Sequence, residues 1–245
     1  MNEKLKQDLQ ALTCQGNTVL LPKTPLRDYA GLKKALLQAQ GKYKRNIFEF
    51  PFPSKVVINK LLSGEVINWK IRTQFFETPE PMAEYMVNQI AGKHEGTVEM
   101  LEPEAGHGAL IRAALKSRPN LNVTAVEKDE LNFSILQDLY PNQNLIHADF
   151  LTHDFKGKKF DLIIANPPFS KNQDIDHVLK MWDLLAKDGQ LFTIMSTSWT
   201  FGTQKKQVAF REWLEDECGL ITENGQGTFK TSGTMVQTVL VELTK

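Results

Sequence analysis

The chain has 245 residues, 41% of them hydrophobic and 24% charged, enough for one substantial domain with an appendage or two small ones. Wholesale disorder and collagen-like structure are excluded, and no apolar run approaches the roughly 20 residues that cross a bilayer. Residues 1–16 lack the apolar core of a secretory signal, and two cysteines, Cys14 and Cys218, are too few for a disulfide framework or a four-cysteine zinc site, so we expect a reducing, cytoplasmic setting. The zero net charge hides an asymmetry. Residues 1–75 hold 13 Lys+Arg against 5 Asp+Glu, and residues 76–245 hold 16 against 24. A basic segment beside an acidic remainder suggests a side facing a polyanion, with a solvated basic face as the alternative.

In chain order, residues 18–21 read as a short strand closed by Pro22. Residues 26–40 carry apolar positions at helical spacing (Leu32, Leu36, Ala39), and Gly41 stops them. Residues 44–50 alternate as a strand until Pro51 and Pro53. Residues 56–62 form a second helix, and a linker is expected at 68–74. We expect residues 1–70 to be a small basic α/β module and residues 71–245 a separate domain. In the latter a helix opens at Pro79 and Pro81 and runs through Ile90. Strands are expected at 97–101, 123–127, 145–148, 160–165 and 190–195, with two more at 220–223 and 236–242. Helices at 109–117, 131–140, 175–186 and 208–216 alternate with them. That alternation predicts a mostly parallel, doubly covered, Rossmann-like seven-stranded sheet, whose ligands bind outside the strand carboxyl ends.

The unusual residues fall at those ends. After the first strand comes Glu102-Pro-Glu-Ala105-Gly106-His107-Gly108. Glycines here allow a sharp turn and close approach of a ligand, although a structural turn has the same look. The third glycine of the dinucleotide fingerprint is replaced by Ile111. The acid at Glu102 repels a pyrophosphate and suits an ammonium or sulfonium. Glu127, at the second strand end, is placed to accept from two ribose hydroxyls. Asp149-Phe150, after the third, offers an acceptor for an exocyclic amine beside an aromatic face. Together they describe a nucleoside site without a phosphate site. The fourth strand ends in Asn166-Pro167-Pro168-Phe169, a rigid extended stop that presents an amide oxygen, a fixed carbonyl and a planar ring.

This order resembles class I S-adenosylmethionine-dependent methyltransferases, specifically those that methylate the adenine amino group in DNA. Phe75-Phe-Glu-Thr78-Pro79 looks like their F-x-T-P segment, the 102–108 loop like D-P-x-x-G-x-G, and residues 166–169 like [DNS]-P-P-[YFW]. Ser232-Gly-Thr234 is similar to phage and mobile-element members. The resemblance covers about residues 74–245. It implies S-adenosylmethionine as cofactor, held by Phe75, Thr78, Glu102, Ala105, Gly106, Gly108, Glu127, Asp149, Phe150 and Asn166. It also implies catalysis at Asn166, Pro167, Pro168 and Phe169. Some ribosomal-RNA and protein-glutamine methyltransferases share the 166–169 pattern. Neither cysteine has the context of a cytosine ring-carbon nucleophile, and the histidines lack zinc-ligand spacing, so no metal is expected. His107 is expected to shape the glycine turn.

DNA, with RNA as a second possibility, is the expected partner. Lys42, Lys44 and Arg45 are expected at phosphates, as are Lys205 and Lys206 in a loop that either lines the target channel or is plain surface. DNA adenine methyltransferases usually carry a separate target-recognition domain, and none is expected within these residues. Specificity is therefore expected from the basic module, the 198–206 loop or a separate partner, as in a restriction-modification assembly; the alternative is low specificity. A non-catalytic nucleic-acid-binding protein that keeps the cofactor pocket is the alternative of a different class.

Overall fold

The computed structural model describes residues 2–64, 77–90, 96–119, 121–225 and 236–245. It divides into two compact units, Met1–Gln74 and Phe75–Lys245.

In the first unit, helices α1 (Glu3–Gln10), α2 (Tyr29–Gln38) and α3 (Ser54–Leu62) accompany strands β1 (Thr13–Gln15), β2 (Thr18–Leu20), β3 (Lys42–Lys44) and β4 (Ile47–Glu49). The sheet is antiparallel in the order β1-β2-β4-β3. Its apolar positions, Val19, Leu32, Leu36, Phe48, Phe52 and Val57, are fully buried or nearly so. Two short polar side chains tie it together. Asp8 accepts from the backbone N–H groups of Arg27 and Asp28, and Ser54 donates to the Gly16 carbonyl. The sequence pattern missed α1 and β1. The single strand expected over 44–50 is instead a hairpin, because Arg45 and Asn46 both take positive φ (43° and 68°) and turn the chain between β3 and β4. Two successive positive-φ residues match the twist of a two-residue hairpin loop, but arginine gives no advance sign of adopting one.

The second unit holds α4 (Glu80–Ile90), β5 (Glu99–Glu102), α5 (Ala109–Ser117), β6 (Asn122–Glu127), α6 (Glu130–Leu139), β7 (Asn144–His147) and β8 (Phe160–Ala165). These are followed by α7 (Gln173–Leu184), β9 (Leu185–Ser196), α8 (Ser198–Phe201), α9 (Lys205–Asp216), β10 (Leu220–Glu223) and β11 (Thr238–Thr244). The seven-stranded sheet runs β10-β11-β9-β8-β5-β6-β7. The pairs among β5 to β9 are parallel, and β11 is antiparallel to both β9 and β10. The short helix α8 was not legible in the sequence, and β9 begins at Leu185, five residues before the strand expected at 190–195 and inside the end of the helix expected to reach 186; the other elements were legible within a few residues at their ends.

Successive strand residues go to opposite faces, and on the central strands both faces are buried. Met100, Leu162 and Ile164 join a core with residues of α4 and α5. Leu101, Ile163 and Ala165 join the other, with residues of α7 and α9. The chain leaves β5 toward β6 and β7, then returns through β8 on the opposite side of β5. That reversal opens a crevice beyond the carboxyl ends of β5 and β8, where the Glu102–Gly108 loop and Asn166 lie. Among the described residues, no helix is long and apolar enough to cross a membrane.

Candidate active site

The loop after β5 folds back on the end of β6. The Ala105 N–H donates to the Val126 carbonyl at 2.9 Å. The Gly106 N–H donates to Glu127 Oε2 at 2.7 Å, and the Asp129 N–H donates to Glu127 Oε1 at 2.6 Å. Each carboxylate oxygen has a second lone-pair site, so Glu127 holds the loop while keeping acceptor capacity for hydroxyls. Its burial raises its pKa to about 7, against the two backbone bonds that lower it. Gly108 sits at φ +76°, and a Cβ there would lie 2.4 Å from a ring carbon of Tyr140. The Tyr140 hydroxyl donates to the Gly108 carbonyl at 2.9 Å. Tyr140 closes the loop from α6, a role its sequence position gave no hint of. His107 is buried against Asn132, and its pKa falls to about 4 through desolvation, so its ring is neutral and shapes the turn.

Two buried acids belong to this loop. Glu102 is buried, and desolvation first, then the neighbouring Glu104, raise its pKa well above the carboxylate range. Burial also raises Glu104, opposed by His177. Glu102 Oε2 and Glu104 Oε2 are buried acceptors that no donor among the described residues reaches. Orphaned carboxylate oxygens beside other acids are costly unless a donor or cation meets them. These acceptors therefore fit a ligand carrying an ammonium or sulfonium together with hydroxyls.

Asp149 pairs with Lys128 at 2.5 Å and accepts from the Leu151 N–H; the lysine, foremost, lowers its pKa. Phe150 is buried in the core, its ring near His177 and Phe155 and below the Lys180 ammonium.

At the end of β8 the Asn166 Nδ2 donates to the Thr78 hydroxyl at 3.1 Å, which fixes which way the amide points. Thr78 itself is buried. Phe169 packs partly buried against the first core. Beyond it Lys171 and Asn172 both take positive φ, 56° and 55°. Asn172 is a hub. Its N–H donates to the Phe169 carbonyl, its Oδ1 accepts from Ser198 and Gln207, its Nδ2 donates to Gln204, and its carbonyl accepts from Lys206 at 2.7 Å. The buried Asp174 accepts from both the N–H and the hydroxyl of Ser196. The 198–207 segment therefore braces the loop after residue 169. Lys206 is held there, paired also with Asp176 at 2.6 Å, whereas Lys205 is exposed at the start of α9.

In the first unit, Lys42 and Arg45 are exposed, and Lys44 pairs with Glu49 at 2.5 Å. Phe75, Ser232-Gly-Thr234 and the linker at 68–74 lie outside the described residues.

The profile of the methyltransferase small-domain family matches residues 82–213, more than half of the chain. The chain belongs to that family. Among curated relatives, a type II methyltransferase, M.AccI of Acinetobacter calcoaceticus, is 37% identical over 107 residues, which is 42% of this chain and 19% of that protein. A release factor glutamine methyltransferase of Streptococcus pneumoniae is 30% identical over 105 residues, covering 41% of this chain and 37% of that protein. The matches therefore span well under half the length of these relatives. Among solved structures, a type I restriction-modification methyltransferase subunit from Streptococcus thermophilus superposes with a TM-score of 0.63 at 18% identity, covering 78% of this chain and 48% of that one. A class I S-adenosylmethionine-dependent methyltransferase from Listeria monocytogenes gives 0.58 at 18% identity, covering 73% and 64%. By family the chain is a methyltransferase small domain, and the superpositions show that it shares the fold of these structures.

Proposed function

We propose that this methyltransferase modifies the exocyclic amine of adenine in DNA. The observation that carries the reading is the Asn166-Pro-Pro-Phe169 corner at the end of β8, across the switch point from a buried, acid-lined glycine loop. The similarity to a type II methyltransferase supports DNA as the substrate. Glu102, Ala105, Gly106, Gly108 and Glu127 line the cofactor end, with Asp149 toward its base and Thr78 toward the catalytic corner.

S-adenosylmethionine supplies an electrophilic methyl group on its sulfonium. An aryl amine is a poor nucleophile because its lone pair is delocalised into the ring. The Asn166 amide oxygen and the Pro167 carbonyl accept the two amine hydrogens, which draws the nitrogen toward tetrahedral geometry and localises the lone pair. Thr78 holds the Asn166 amide in the orientation this requires. Pro168 keeps the corner extended, and Phe169 stacks on the extruded base and offsets part of the unstacking cost. Orientation and preorganised dipoles account for most of the rate. Lys42 and Arg45 of the basic unit, with Lys205, contact phosphates; Lys44 and Lys206 contribute less because each already has a carboxylate partner.

Protein glutamine is the second reading, supported by the release factor methyltransferase relative, since a glutamine amide presents the same two hydrogens to the same acceptors. Transfer of tritiated methyl to DNA, RNA and protein in parallel, followed by nucleoside mass spectrometry, tests both. N6-methyladenine in the DNA arm is expected; label only in protein overturns the DNA reading.

A further inference from the structure

The contact between Glu104 and His177 has no part in the transfer step described above. Glu104 is in the middle of the glycine loop, between Glu102 and Gly106. His177 is one turn into α7, the helix that follows the catalytic corner. The ring Nδ1 of His177 hydrogen-bonds Glu104 Oε1, and the His177 side chain is only 6% exposed. The same ring lies 5.6 Å, centroid to centroid, from Phe150, which follows β7. One histidine thus touches two strand-end loops from a helix rooted in a third. The turn before α7 is itself braced by Asn172 and Asp174, so its position is fixed independently of the glycine loop. Besides His177, the charged groups near this pair are Glu102 in the same loop, Asp149, and Lys180 on α7, whose ammonium lies over the Phe150 ring.

We infer that Glu104 and His177 are positioning residues that clamp the glycine loop to α7 and so hold the cofactor site in register with the catalytic corner. A buried carboxylate requires a donor. With His177 in place the loop keeps Glu104 inward; without it the carboxylate turns toward water and carries the loop with it. The inference rests on the cofactor reading above.

Calorimetric binding of S-adenosylmethionine and S-adenosylhomocysteine to the full chain tests it, in the parent and three variants, with folding checked by circular dichroism. His177→Phe retains a ring against Phe150 and removes the donor. His177→Asn places an amide nitrogen close to where Nδ1 sits. Glu104→Ala removes the acceptor. We expect His177→Phe and Glu104→Ala to weaken both ligands about tenfold or more, and His177→Asn to stay within about threefold of the parent. A folded His177→Phe with parental affinity overturns the clamp, as do equal losses in His177→Phe and His177→Asn. If His177→Phe does not fold, parental affinity in Glu104→Ala overturns it. A parent that binds neither ligand overturns the cofactor reading and the clamp with it, which separates the two failures.

Discussion

At the scale of single residues, the site depends on where carboxylates and one amide are placed. Asn166 is proposed to act on the amine chiefly as the transition state forms. Replacing it by alanine should therefore lower turnover by about 100-fold and leave cofactor affinity unchanged. Stopped assays with saturating cofactor, alongside calorimetry, would check both halves. Glu127 makes a pH prediction. Its carboxyl titrates near 7 in the ligand-free protein, above the usual 4.5, because burial penalises the charge. Stability from the protonated form is complete below the unfolded value and is lost as pH rises through about 7. The ligand-free protein should then melt at lower temperature at pH 8 than at pH 5.5, and Glu127→Gln should flatten that slope. A cationic ligand favours the ionised acid, so cofactor affinity should rise with pH between about 6 and 8. Affinity independent of pH in that window would remove Glu127 from the ligand shell.

At the scale of elements, two strained turns define the crevice. Gly108 needs both its left-handed φ and its missing Cβ, because Tyr140 fills the space. Gly108→Ala should cost about 1–3 kcal/mol, read as a fall in melting temperature, and Tyr140→Ala in the same chain should recover part of it by removing the clash. The other turn, Lys171-Asn172, is held by bonds from α8 and α9. Asn172→Ala should lower turnover more than cofactor affinity, since it frees the loop bearing Phe169. Asn172→Gly keeps the left-handed backbone without the side-chain bonds, and should fall between alanine and the parent. If both variants turn over at the parental rate, the brace does not position the corner.

At the scale of the whole molecule, charge divides the two units. A first unit with 13 cations and 5 acids among residues 1–75 should supply salt-dependent, sequence-independent affinity. Replacing Lys42 and Arg45 by alanine should weaken DNA binding and flatten its dependence on salt, with cofactor affinity unchanged. Fluorescence anisotropy across a salt series measures this; an unaltered slope would mean that these charges serve only solvation.

Apolar strands between amphipathic helices were enough to read the parallel sheet in the sequence, because burial on both faces leaves a continuous hydrophobic run. The glycine loop and the Asn-Pro-Pro-Phe corner were legible for a similar local reason. Few residue types meet their backbone and hydrogen-bonding demands, so the motif shows in one dimension. The β3–β4 hairpin was hidden, since its turn rests on an arginine and an asparagine that the surrounding strands force into positive φ. Contacts between distant segments were hidden too. Thr78 meets Asn166 across 88 positions and Glu104 meets His177 across 73, and no local spacing encodes either. Burial of Phe150 and the ties on Lys44 and Lys206 also follow from packing alone. The sequence by itself determined which chemical groups stand at the strand ends. Tertiary structure decided which of them touch, because the order in which strands pair sets the distance between their loops.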